Sequence, residues 1–172
     1  MKTPTKGDKA PDFTLTSPDG TMASLATVIQ TGPVVLLFVP DITHRDAGEI
    51  VDNFRDDYNE FKALKASVIT VINADSEAVS KFHEEHQLNY PIFPDPTAAL
   101  FRKYGAVEGY LLKKPRKYGF VIDREGNVSK PFRSVDSNKF SRQALYALRD
   151  QMGRSALRDA GQKETGGGKL QR

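Results

Sequence analysis

The sequence predicts an α/β fold, with a central mixed sheet flanked by helices in a single domain. Three observations carry this reading. One continuous apolar run, Val34–Val39, and a second, β-branched stretch, 67–73, have the character of buried strands. Segments of strand character alternate along the chain with segments of helical periodicity. The composition, 38% hydrophobic and 27% charged over 172 residues, suits one sizeable core and is too short for two.

Each element has its own signal. Residues 13–15 and 23–25 flank the turn Pro18-Asp-Gly20 and predict an N-terminal hairpin. Val34–Val39 is a central strand ended by Pro40. Ile50, Phe54, Tyr58, Phe61 and Leu64 recur at helical spacing, with Asp52, Asp56, Asp57 and Glu60 on other faces, so a long amphipathic helix follows. After the second buried strand, Asp75 is placed to cap a short helix running to about His86. Tyr90-Pro-Ile-Phe-Pro94 is extended between prolines, and 97–104 forms a short helix stopped at Gly105. Tyr118–Ile122 and Val128–Phe132 flank Asp123-Arg-Glu-Gly126 as a hairpin. A last helix starts near Asp136, with Phe140, Leu145, Leu148 and Met152 facing inward.

Charge divides the chain unevenly. The formal net charge is +3, carried entirely by residues 153–172, while 1–152 balances to zero. The division predicts a folded domain over 1–152 and a basic, flexible tail over 153–172, where Gly166-Gly-Gly168 reads as linker. Within the body, residues 1–98 carry −7 and 99–149 carry +8, which predicts opposite charges meeting across one domain. The longest apolar stretch, Pro33 to Pro40, falls far short of the ~20 residues a bilayer requires, and the polar N-terminus has no export signal. The expectation is a cytoplasmic protein, or one inside an organelle after loss of a transit peptide, with no membrane contact. Cysteine is absent. That excludes disulfides, zinc–thiolate sites, iron–sulfur clusters and cysteine nucleophiles.

Several segments, in their order and spacing, resemble the peroxiredoxins of the thioredoxin-like fold, and most of all the bacterioferritin-comigratory (peroxiredoxin Q) type. These are Gly7-Asp-Lys-Ala-Pro-Asp-Phe-Thr-Leu15, Pro33-Val-Val-Leu-Leu-Phe-Val-Pro40, Asn53-Phe-Arg-Asp-Asp-Tyr58, Phe93-Pro-Asp-Pro96, Lys103-Tyr-Gly105 and Phe120-Val-Ile-Asp123. The likeness runs from about residue 6 to 150. It implies a thioredoxin-like domain whose active loop has the form Pro-x-x-x-Thr/Ser-x-x-Cys.

Here that loop is Pro40-Asp-Ile-Thr-His44-Arg45-Asp46-Ala47. The resemblance places the peroxidatic cysteine at Ala47, the neighbouring hydroxyl at His44, a resolving cysteine at Asp52 and the site arginine at Lys117. Peroxide reduction needs a low-pKa thiolate at a helix N-terminus to attack the O–O bond, and an alanine methyl offers nothing to oxidise. The expectation is a chain unable to reduce peroxides as it stands, acting as a binding or assembly module with a protein partner, as monomer or homodimer, without cofactor or metal. The alternative is an active thiol peroxidase carried as a Cys-to-Ala variant at position 47.

Other constellations are weaker. His44, Asp46, Glu49 and Asp41 could serve acid–base or metal chemistry, but Asp46 and Glu49 are ordinary first-turn residues of a helix. His83-Glu-Glu-His86 lacks the spacing of a zinc motif and reads as a solvated face. Lys113, Lys114, Arg116 and Lys117 form a basic segment that reads first as a solvated loop, with electrostatic docking of an acidic partner or ligand as the alternative. Without interleaved aromatics it does not point to nucleic acid.

Overall fold

A computed structural model describes residues 2–170, with side chains as far as 162; Met1 and the last two residues of the 153–172 tail lie outside the described residues. The N-terminal hairpin forms from β1 (Thr14–Thr16) and β2 (Met22–Ser24), paired antiparallel with Leu15 opposite Ala23. Ser24 then caps a single turn, α1 (Leu25–Val28), which the sequence had not marked. β3 (Val34–Val39) is buried at every position, as its unbroken apolar run requires.

β3 is the middle of the main sheet, whose order is β5-β4-β3-β8-β9. β4 (Ser67–Ile72) and β5 (Ile92–Pro94) extend it in parallel on one side. On the other side β8 (Tyr118–Ile122) and β9 (Val128–Phe132) add antiparallel, with an irregularity between Val121 and Ile122. The backbone of Gly7 and Asp8 bonds to Val128 at the outer edge of β9, at 2.8 Å in each direction. Between β5 and β8 lies a small hairpin, β6 (Val107–Glu108) with β7 (Lys114–Pro115), separate from the main sheet. The expectation of one mixed central sheet therefore stands, accompanied by two small hairpins.

Alternation along β3 assigns its two faces. Val35, Leu37 and Val39 face α2 (Arg45–Ala63) and α5 (Phe140–Leu170), where Ile50, Phe54, Phe61, Phe140, Leu145 and Leu148 complete one core layer. Val79 and Phe82 of α3 (Ser76–Glu85) join it. Val34, Leu36 and Phe38 face the other way, against Leu25, α4 (Ala99–Lys103) and Tyr104. Phe38 meets Phe101 edge-on at 4.9 Å between ring centres. Asp75 caps α3 as expected, its carboxylate accepting from the Ala78 amide at 2.8 Å.

The last helix departs from the sequence reading at one side chain. Met152, expected inward, is 38% exposed, while its neighbour Gln151 still contacts Ser129 of β9. The helix continues to Leu170, and an Arg154–Asp150 pair at 3.2 Å spans the boundary at Gly153. The charge halves do meet. Arg142 pairs with Asp57 at 3.5 Å and with Glu60, and Arg149 reaches Glu60 at 3.4 Å, joining basic α5 to acidic α2. No described helix is long and apolar enough to cross a membrane.

Candidate functional site

The site is built where β3 hands the chain to α2. Pro40 ends the strand, and Asp41 folds the loop back by accepting from the Thr43 amide at 2.9 Å and its hydroxyl at 2.6 Å. These two bonds hold the Asp41 carboxyl below the usual carboxylate range, the Thr43 hydroxyl contributing most. His44 occupies the N-cap position in an extended conformation, but its side chain makes no capping bond. It is 76% exposed and 4.0 Å from Asp41, a loose contact between two exposed side chains.

Ala47 lies in the first turn of α2, 2% exposed, its amide donating to the His44 carbonyl at 3.1 Å. It faces the core formed with Val39 and Ile50. The amide end of a 19-residue helix therefore surrounds this position, an electrostatic setting that favours negative charge. Asp46 supplies that charge beside it.

Lys117, just before β8, is only 20% exposed and lies across from the helix start. Its Nζ donates to Ser137 Oγ at 2.5 Å and sits 3.5 Å from Asp46 Oδ2. The cation is thus already engaged by a carboxylate and a hydroxyl. Ser137 is a participant the sequence did not reveal. Its carbonyl also accepts from Asn53 Nδ2 at 3.0 Å, pinning the loop before α5 to α2. Only its position two residues after Val135, near a helix start, could have drawn notice.

One turn further along α2, Asp52 is not free either. It bonds to His86 Nδ1 at 2.8 Å and lies 3.3 Å from Arg55, which in turn donates to the His86 carbonyl at 2.6 Å. His86 fits over the helix because position 48 is glycine: a β-carbon there would stand 2.7 Å from the imidazole Cε1. The expected solvated face of His83 and His86 is corrected accordingly. Both rings are half-buried, and His83 turns the other way, to the Tyr90 carbonyl at 2.9 Å, so the two histidines serve different partners.

The predicted residues therefore separate into groups. Pro40, His44, Asp46, Ala47 and Lys117 gather at the start of α2, with Asp46 and Lys117 in contact. Arg45 points to solvent and, among the described residues, pairs with Glu49 at 3.4 Å. Arg116 turns away from the site to Glu108, at 2.9 Å. Lys113 and Lys114 stand exposed on the β6–β7 hairpin. The gathered groups can orient or repel a charged ligand, but none of them is a nucleophile able to take oxygen from a peroxide.

Comparison with known proteins agrees with this architecture. A candidate peroxiredoxin of Mycobacterium tuberculosis is 31% identical over 146 residues, 84% of this chain and 90% of that protein. Peroxiredoxin Q of Gentiana triflora chloroplasts is 30% identical over 123 residues, 72% of this chain and 56% of that longer protein. Among solved structures, peroxidoxin BcpB of M. tuberculosis superposes with a TM-score of 0.78 at 27% identity, covering 86% of this chain and 97% of its own. A cysteine-to-serine mutant of PrxQ from Xylella fastidiosa gives 0.80 at 16% identity, covering 88% and 99%, a likeness of fold. The model of the AhpC/TSA family matches residues 6–130. With most of its length matched and its sheet, helix order and loop in place, the chain belongs to the AhpC/TSA family, in its thioredoxin-like fold and with relatives of the peroxiredoxin Q type.

Proposed function

We propose that this chain is a pseudoenzyme of the peroxiredoxin family, unable to reduce peroxides as its sequence stands and retained as a binding or assembly module. The observation that carries this reading is Ala47: the position that the family resemblance gives to the peroxidatic sulfur is a buried methyl, in a chain with no cysteine anywhere. Thiol peroxidase chemistry transfers an oxygen to a cysteine thiolate and releases water or an alcohol, so without a thiol the first bond cannot form. The surroundings support the same reading. Lys117 is neutralised by Asp46, His44 lacks the hydroxyl that would orient a peroxide, and Asp52 is tied to His86 rather than poised to resolve anything.

A second reading has one observation in its favour. Residue 47 keeps the shielded place at the amide end of a long helix that would lower a thiol's pKa, as expected of an active peroxidase carried as a Cys-to-Ala variant. Peroxide consumption by Ala47→Cys, with thioredoxin as reductant, separates the two. The pseudoenzyme reading expects almost no gain in Ala47→Cys alone and a clear gain only when His44→Thr and Lys117→Arg are added. Fast turnover by the single variant, or a cysteine codon at position 47 of the natural gene, would overturn it.

A further inference from the structure

The least accounted-for feature of the molecule is the tip of the β6–β7 hairpin. Tyr110, Leu111 and Leu112 are 96%, 88% and 76% exposed. A soluble surface tolerates single apolar side chains, but three in succession mark a contact with something. The tip is a built feature. Gly109, at φ +132°, lets the Leu112 carbonyl close over it, since a β-carbon there would lie 2.2 Å from that oxygen. The stem is fixed by the Val107–Pro115 and Glu108–Lys114 pairs, by the Arg116–Glu108 ion pair, and by the Arg116 amide on the Ala106 carbonyl at 2.8 Å.

The charges beside the tip identify what it meets. Glu108 is spent on Arg116, whereas Lys113 and Lys114 are exposed and have no ion-pair partner among the described residues. Several other basic groups of 99–149 are already paired, Arg116 with Glu108, Lys117 with Asp46, and Arg142 and Arg149 with Glu60, so the charge offered at the tip is that of Lys113 and Lys114. We infer that the tip inserts Tyr110, Leu111 and Leu112 into an anionic lipid surface while Lys113 and Lys114 engage its headgroups.

Shape favours lipid over a second copy of the chain. Side chains this exposed project freely and offer only a few hundred Å² of contact, well under the ~1,600 Å² of a stable protein interface. A lipid surface needs no complementary pocket. It takes an amphipathic tyrosine and leucines at headgroup depth and rewards adjacent lysines. Such contact is peripheral and compatible with the lack of a membrane-crossing helix among the described residues. The expectation of no membrane contact rests on spans and leader segments, neither of which a surface contact of this kind requires. The inference does not involve residue 47 and stands apart from the reading of peroxidase loss.

The chain has no tryptophan, so Leu111→Trp places a single reporter at the tip. With vesicles of equimolar phosphatidylserine and phosphatidylcholine, its emission should shift to the blue and become shielded from a water-soluble quencher, with no change on phosphatidylcholine alone. In the otherwise unaltered chain, Lys113→Gln and Lys114→Gln should each lower sedimentation with anionic vesicles about fivefold. Leu111→Asp with Leu112→Asp should abolish it without lowering the thermal midpoint, since neither side chain packs on the body. Three results would overturn the inference: no binding to anionic vesicles at low salt, binding unaffected by the double aspartate variant, or a tip that stays in water on vesicles but is shielded by a protein partner.

Discussion

Replacing Gly48 by alanine tests how α3 is fastened to the helix that carries the site. At an unobstructed helical position this change stabilises by about 1 kcal/mol, because glycine loses more backbone entropy on folding. Here the added methyl would lie 2.7 Å from Cε1 and 3.4 Å from Nε2 of His86. The imidazole has little freedom to retreat, held by Asp52 at 2.8 Å and packed 4.5 Å from the Phe82 ring centre. Making room breaks the bond to Asp52. A bond with one charged partner contributes about 1.5–3 kcal/mol, and the partial exposure of both groups lowers that to about 1.5–2 kcal/mol.

Set against the helical gain, Gly48→Ala should therefore destabilise the protein by about 0.5–1 kcal/mol. In a His86→Ala background the obstruction is gone, and the same change should stabilise by about 1 kcal/mol. Urea unfolding of the four proteins, with equal m-values, gives a coupling of about 1.5–2 kcal/mol. If Gly48→Ala stabilises equally in both backgrounds, the contact between position 48 and His86 is not the constraint described.

Two further outcomes follow from the core. Phe140 is fully buried, 5.8 Å from Phe54 and 5.0 Å from Phe132 between ring centres, so Phe140→Ala should cost about 3–5 kcal/mol in denaturant unfolding; a loss under about 1 kcal/mol would mean that the layer between α2 and α5 is loosely packed. Burial pushes the phenols of Tyr90 and Tyr104 above the usual tyrosine range, reinforced by the charges of Asp52 and Asp12 respectively, while Val51 and Pro11 carbonyls accept their protons. Their contribution to stability is complete below about pH 10, where the unfolded phenols are also neutral, and is lost as pH rises above it. Ultraviolet titration should find these two of the six tyrosines silent until the protein unfolds, and their ionisation with the fold intact would contradict their burial.

Much of the fold was legible because its signals are local. Val34–Val39 is apolar without interruption and Ser67–Ile72 is mostly β-branched and buried from Val68 onward, the character of strands covered on both faces. Asp75 announces its helix by chemistry confined to three residues. The loop from Pro40 to Ala47 was located through resemblance, and the structure then supplied its partners. What stayed hidden depends on distant elements meeting. His86 has the sequence position of a solvated helical residue and becomes half-buried only because Gly48, on another helix, leaves a notch for it. Ser137 becomes a ligand of Lys117 through the crossing of α2 and the loop before α5. The β6–β7 stem is two residues per strand and contains Pro115, so no period of two could develop there.

The way the main sheet ends restricts how this protein can associate. β5 is three residues long, with Pro91 before it and Pro94 as its last residue, and a proline has no amide to donate to an incoming strand. β9 contains Pro131, and the backbone of Gly7 and Asp8 already occupies its outer side at Val128. With both borders blunted, the sheet is a poor template for another chain's strand. The main sheet is accordingly guarded against edge-to-edge aggregation and poorly suited to strand addition, the common way an extended peptide joins a sheet. Whatever binds this domain has to read side chains on its helices, loops and projecting hairpin.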